Sequence, residues 1–212
     1  MSIYDHNYFE TGEQNHCSCY TNYRWLPALT IPMARSIAET LPLSPEDWIL
    51  DFGCAKGYLV KALRRLGHGR AYGVDASEYA ISKADQETRP FLAVIADGVL
   101  PQTMGAGSWD WILAKDVLEH LSEQYLAIIL RRFRTTAHKV FAVVPLGDGS
   151  HYLIPEMERD ITHQIRRPLG WWERQFLDAG FAKVRTSYKM AGVKENWTSK
   201  YPKGNGFFIA TA

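Results

Sequence analysis

The segment Asp51-Phe52-Gly53-Cys54-Ala55-Lys56-Gly57 lies between two different hydrophobic periodicities. Ahead of it, Trp48-Ile49-Leu50-Asp51-Phe52 is a short apolar run that meets glycine at Gly53. Behind it, Leu59, Ala62, Leu63 and Leu66 recur at helical spacing. A strand that turns at once into a helix is the opening unit of an open α/β sheet, whose ligand crevice lies at the C-terminal ends of the strands. Glycine has no Cβ, so the turn's backbone can approach a ligand there closely.

The same alternation continues outward. Ala71 to Val74 reads as a strand ending at Asp75, and Ser77 as the N-cap of a helix through about Ala84. Phe91 to Ile95, Trp109 to Ala114 and Val140 to Val144 read as further strands, with a helix over Ser122 to Arg134. Pro168 opens a helix that runs to Gly180, and Phe181 to Tyr188 and Gly206 to Thr211 are the last strands. This pattern predicts a mostly parallel sheet covered on both faces. Two stretches stand outside it: residues 1–26, rich in Tyr, Asn, His and Cys, and the long polar connection 146–168. Long connections of that kind are commonly lids or binding loops. The expected layout is one domain, with residues 1–47 as an N-terminal cap and helix and 48–212 as the core, carrying an acceptor-side insertion at 146–168.

Several motifs share one family order. Gly53-x-Ala55-x-Gly57 does not match the dinucleotide fingerprint G-x-G-x-x-G. With the preceding acid it resembles motif I of class I S-adenosylmethionine-dependent methyltransferases, Ala55 replacing the middle glycine. Gly73-Val74-Asp75-Ala76-Ser77 resembles the second motif, whose acid holds the ribose, and Ala96-Asp97-Gly98 the segment that contacts adenine. Trp109 through Leu121, ending Val117-Leu118-Glu119-His120-Leu121, is similar to the fourth-strand motif. The resemblance covers about residues 45–185. It implies an α/β, Rossmann-like three-layer sandwich with a seven-stranded sheet and an antiparallel C-terminal hairpin. It also implies S-adenosyl-L-methionine as cofactor, held by Asp51, Gly53, Cys54, Ala55, Gly57, Asp75, Ala76, Asp97, Gly98 and Lys115. Asp51 either orients the turn's amides or touches the cofactor.

Methyl transfer from a sulfonium chiefly requires alignment, and a hydroxyl acceptor adds the need for a base, most readily histidine. Of seven histidines, two stand out. His120 closes the fourth-strand motif, where it either supports the loop or acts in catalysis. Asp160-Ile161-Thr162-His163, with Gly170-Trp171-Trp172, is similar to methyltransferases found with polysaccharide and glycan genes. That resemblance implies that His163 faces the acceptor as a base or orienting group; a solvated loop histidine is the alternative. The aromatic and amide residues of Tyr4 to Phe9 and Tyr20 to Trp25 suit a small, saccharide-like acceptor.

The net charge of +1 supplies no whole-molecule field for nucleic acid, so such a partner is not expected. Arg131-Arg132-Phe133-Arg134 falls at a helix C-terminus, which favours cations. The lysines and arginine from Lys183 to Lys203 read as a solvated basic rim, or as the mark of an anionic acceptor. The alternatives to a small-molecule enzyme are an RNA or protein methyltransferase and a non-catalytic partner subunit. His16-Cys17-Ser18-Cys19 lacks a second ligand pair at zinc-site spacing, so no metal is expected there. No signal peptide is expected from the opening residues, no apolar run reaches about 18 residues, and three cysteines fit reduced thiols in a cytoplasmic protein.

Overall fold

Parallel strands buried on both faces show as unbroken apolar runs, and every residue of β1 (Ile49–Phe52) is buried. The computed structural model describes residues 3–95 and 108–212. Around β1 the chain forms α1 (His6–Glu10), α2 (Pro27–Thr40), α3 (Tyr58–Arg65), β2 (Ala71–Asp75), α4 (Glu78–Ser82) and β3 (Leu92–Val94). It continues with β4 (Trp109–Lys115), α5 (Glu123–Thr136), β5 (Ala137–Pro145), α6 (Leu169–Asp178), β6 (Lys183–Ser187), α7 (Glu195–Lys200) and β7 (Asn205–Thr211). Ser77 caps α4 as read from the sequence, and Ser122, read there only as the start of a helix, caps α5; each side chain accepts a backbone N–H.

Among the described residues the sheet has seven strands in the order β3-β2-β1-β4-β5-β7-β6. The first five are parallel, and β7 runs antiparallel to both β5 and β6. Chain order moves outward from β1 to β3, then returns to β4 on the other side of β1. That reversal opens a crevice at the C-terminal ends of β1 and β4, where ligands of such sheets bind.

Alternate residues of each strand face different layers. Leu50, Ile112, Val140 and Ala142 pack against Leu130 and Phe133 of α5 and Trp172 and Phe176 of α6. Ile49, Leu113, Phe141 and Val143 pack on the other face with Ile37 of α2 and Val60 and Leu63 of α3. This is the three-layer sandwich.

Residues 1–26 are not structureless. Asp5 caps α1, accepting from the N–H groups of Asn7 and Tyr8. Tyr8 and Phe9 are buried in an aromatic cluster with Tyr20, Tyr23 and Tyr79. The C-terminal tail departs from a purely solvated rim. Met190 and Val193 are buried, and Lys194 and Lys200 form ion pairs with Asp116 and Glu156. No helix among the described residues is long and apolar enough to cross a membrane.

Candidate active site

The turn after β1 is left-handed at alternate residues, with φ of +79° at Gly53, +49° at Ala55 and +75° at Gly57. A Cβ on Gly53 would lie 2.3 Å from Val117 Cγ2, and one on Gly57 would lie 2.5 Å from Leu92 Cδ1. Conformation and close packing therefore both require glycine there. Ala55 donates its N–H to Asp75 Oδ2 at 2.7 Å, and Ser77 N–H donates to Asp75 Oδ1 at 2.7 Å. Burial raises the Asp75 carboxyl. Each oxygen accepts one backbone hydrogen bond and keeps capacity for another.

Asp51 is buried, and burial above all pushes its carboxyl up to about 7; nearby Lys115 opposes the rise and Asp75 adds to it. The Lys115 ammonium is 2.5 Å from Asp116 Oδ2, and Lys194 Nζ is 2.5 Å from Asp116 Oδ1. Burial alone would raise the Asp116 carboxyl, but these two ammonium groups outweigh it and hold it well below the usual carboxylate range. Asp116 itself has φ of +54°, a strained conformation held by both pairs.

A cavity of about 360 Å³ opens at this edge of the sheet. Phe52, Gly53, Ala55, Asp75 and Ala76 line it from the ends of β1 and β2, and Tyr4, Tyr8, Phe9, Tyr20, Asp116 and His120 line it from the N-terminal segment and the end of β4. Of the residues expected from the sequence, Gly53, Ala55, Asp75, Ala76 and His120 thus line the cavity. Asp51, Cys54, Gly57, Lys115 and His163 are not on its wall. Asp97 and Gly98 lie outside the described residues. Gly57 shapes the turn against Leu92. A carboxylate with spare acceptor capacity beside an open backbone turn fits the ribose of a nucleoside cofactor.

The opposite wall is held by a chain of hydrogen bonds. Tyr8 O–H donates to Asp160 Oδ2 at 2.8 Å, and Thr162 O–H donates to Asp160 Oδ1 at 2.5 Å. Thr162 Oγ1 is also 2.7 Å from His120 Nδ1. The Thr162 hydrogen is committed to a carboxylate, so His120 donates from Nδ1 and its Nε2 keeps a lone pair. Burial, then neighbouring His163, hold His120 down at about 4, so the ring is neutral. His163 is buried with its ring 4.6 Å from that of His120, and burial lowers it as well. Glu119, also buried, is pushed up to about 8 by burial and by Asp116.

The two segments outside the strand-helix alternation meet here. Besides Tyr8 and Asp160, Ile161 N–H donates to Cys17 O at 3.3 Å, and Cys19 Sγ lies 3.3 Å from Glu156 O. Lys56 Nζ ties the N-terminal segment to the glycine turn through Glu10 Oε1 and Tyr23 O, both at 2.6 Å. Glu10, Asp116, Asp160, Thr162 and Lys194 were not singled out from the sequence. Asp160 and Thr162 did stand in the quoted histidine phrase, which was the available signal.

A family model described as a methyltransferase domain matches residues 29–187. Ribosomal protein L11 methyltransferase of Cupriavidus necator is 28% identical over 102 residues, covering 48% of this chain and 33% of that protein. The chain thus matches about a third of that relative's length. A chain of the complex containing the Haloferax volcanii Trm112 methyltransferase activator superposes with TM-score 0.69 at 16% identity, covering 88% of this chain and 91% of that one. A SAM-dependent methyltransferase from Archaeoglobus fulgidus superposes with TM-score 0.64 at 15% identity, covering 84% and 92%. At these identities the superpositions show a shared fold. The match over residues 29–187 goes further: the chain belongs to the methyltransferase domain family, as a class I S-adenosylmethionine-dependent methyltransferase.

Proposed function

We propose that this chain transfers a methyl group to a hydroxyl of a small, saccharide-like acceptor bound in the cavity. The observation that carries the proposal is the hydrogen-bond chain Tyr8–Asp160–Thr162–His120, which presents an imidazole lone pair at the cavity wall. S-adenosylmethionine supplies an electrophilic methyl on a sulfonium. The chain's own residues supply alignment, which in favourable cases accounts for about 7–11 kcal/mol of such a barrier. Asp75 holds the ribose from one wall. Tyr4, Tyr8, Phe9 and Tyr20 close the other, offering flat apolar faces to a sugar ring and excluding water. As the acceptor oxygen bonds to the methyl carbon and the carbon–sulfur bond breaks, the hydroxyl proton leaves toward the His120 side.

Among the described residues the cavity lining includes Asp75 and Asp116 but neither lysine nor arginine, and the Lys115 and Lys194 ammonium groups behind Asp116 leave the site near neutral. A neutral hydroxyl acceptor suits that charge better than the anionic one suggested by the basic tail. The relative named for ribosomal protein L11 favours a macromolecular acceptor as the second reading. The test incubates the protein with S-adenosylmethionine and a panel of sugars, nucleotide sugars and polyols, with ribosomal protein and RNA alongside. Mass spectrometry should find a small hydroxyl compound that gains one methyl. Methylation of protein or RNA with no small product would overturn the proposal.

A further inference from the structure

Beside the cavity wall three side chains leave lone pairs in one small volume. One ligand atom each from Glu119, His120 and His163 lie within 4.8 Å of one another. Glu119 is only 1% exposed, and its Oε2 has no hydrogen-bond partner. A buried, unpartnered carboxyl oxygen is costly and calls for a specific reason.

Both imidazoles are turned so that their free nitrogens are acceptors. His163 Nδ1 lies 2.8 Å from the Met157 carbonyl oxygen, which can only accept. That nitrogen therefore carries the hydrogen and Nε2 the lone pair. His120 Nδ1 donates to Thr162 for the reason given above. A backbone carbonyl or a hydrogen-bonded side chain on the far ring nitrogen is the arrangement that orients histidine toward a metal ion. A second carboxylate oxygen, Asp160 Oδ2, lies 4.0 Å from His163 Nε2.

We propose that Glu119, His120 and His163 bind one divalent transition-metal ion, with its open coordination position toward the cavity. Two imidazoles and one carboxylate form a ligand set typical of such ions, and three protein ligands leave room for a further oxygen. Ligands at about 2.1 Å from an ion stand about 3–3.5 Å apart. The three side chains must therefore draw together by about an ångström, within the reach of small rotations. His120 is the ligand on the cavity wall, so the open position faces the acceptor.

The consequence for catalysis rests on the hydroxyl-acceptor reading; the binding of the ion does not. A hydroxyl oxygen on the ion would release its proton to water more readily. The oxygen would then take the methyl carbon as the carbon–sulfur bond breaks, its electron pair passing to sulfur. His120 would serve by holding the ion, its lone pair no longer free to take a proton.

The experiment titrates chelator-treated protein with Mn²⁺ and Co²⁺ by calorimetry, following visible absorption for Co²⁺. One ion per chain should bind. Glu119→Gln, which keeps the side chain's shape, and His163→Ala should each weaken binding by at least about tenfold. Both variants should bind S-adenosylhomocysteine as the parent does, which establishes that they are folded. If His163→Ala does not fold, Glu119→Gln decides. No stoichiometric binding in the parent protein, or equal affinity in the folded variants, would overturn the proposal. Failure of the parent to bind S-adenosylhomocysteine would instead strike the methyltransferase reading and leave the ion result standing.

Discussion

The wall of the cavity that follows β1 and β2 takes its shape from backbone, whereas the facing wall takes its shape from side chains brought from far apart. On the first, left-handed residues Gly53, Ala55 and Gly57 and the two N–H bonds to Asp75 come from short contiguous stretches. On the second, Tyr8 reaches Asp160 across 152 residues, and His120 reaches Thr162 across 42. A backbone-built site depends on a few special conformations and tolerates change in most side chains. A side-chain-built site depends on every member of its network, because removing one leaves a buried partner unsatisfied.

The sharpest way to break that comparison is a crossed pair of variants on opposite walls. His120→Ala should lower turnover by about 10²–10⁴-fold, the usual range for a lost general base, and a lost metal ligand would act in the same direction. S-adenosylhomocysteine affinity should stay unchanged in it. Asp75→Ala should do the reverse, weakening cofactor binding by about 1.5–3 kcal/mol through lost charged hydrogen bonds. Steady-state kinetics and calorimetry on both proteins check this. If His120→Ala weakened cofactor binding as much as Asp75→Ala did, the two walls would not be separate in function.

Asp51 sharpens the comparison from below the turn, among Lys115, Asp75, Cys54 and Tyr23. Its carboxyl is raised from 3.8 to about 7, so the folded state holds this proton more tightly than the unfolded chain does. The stability this proton contributes is complete at low pH and is lost as pH rises through about 7. Three units correspond to about 4 kcal/mol. Asp51→Asn should therefore leave the ligand-free protein more stable than the parent at pH 8, with the advantage shrinking toward pH 4. Urea unfolding across that range measures it, and a difference independent of pH would show that Asp51 is not the group responsible.

The glycine turn and Asp75 were legible in the sequence because their physics is local. A turn that needs glycine and a strand that ends in an acid each occupy a few adjacent residues, and their order follows the order of the strands. The same locality made β4 and the Ser77 cap readable, while the antiparallel C-terminal pair followed from the family resemblance. Gly57 stands in the turn where it was expected, and its missing Cβ makes room for Leu92. The side-chain network of Tyr8, Asp160, Thr162 and His120 was legible only as two segments that fit no periodicity. Nothing in Tyr8 or Asp160 alone announces a pairing that long-range packing creates. His163 drew notice through its phrase, yet it stands behind His120, which occupies the cavity wall. Lys194 looked like one charge on a basic rim, but burial of Val193 carries it to Asp116.

The smallest expected effect concerns Ala55, where the chain departs from the family's glycine pattern. An alanine at φ of +49° pays a left-handed penalty of about 1–2 kcal/mol. Ala55→Gly removes that penalty but gives the unfolded chain more freedom, worth about 0.5–1 kcal/mol. The net outcome should be a gain in stability of no more than about 1.5 kcal/mol. The N–H that Asp75 accepts is kept by glycine, so the Asp75 carboxyl stays in place. Ala55 lines the cavity, and the lost methyl should change cofactor affinity by no more than about 0.8 kcal/mol, the worth of one buried CH₂. Urea unfolding and calorimetry with S-adenosylhomocysteine give the two numbers. If the variant were less stable than the parent, the Ala55 methyl would be making contacts that outweigh its backbone strain. The first wall would then depend on side-chain packing as the second does, and the contrast between them would fail at the residue where it is easiest to test.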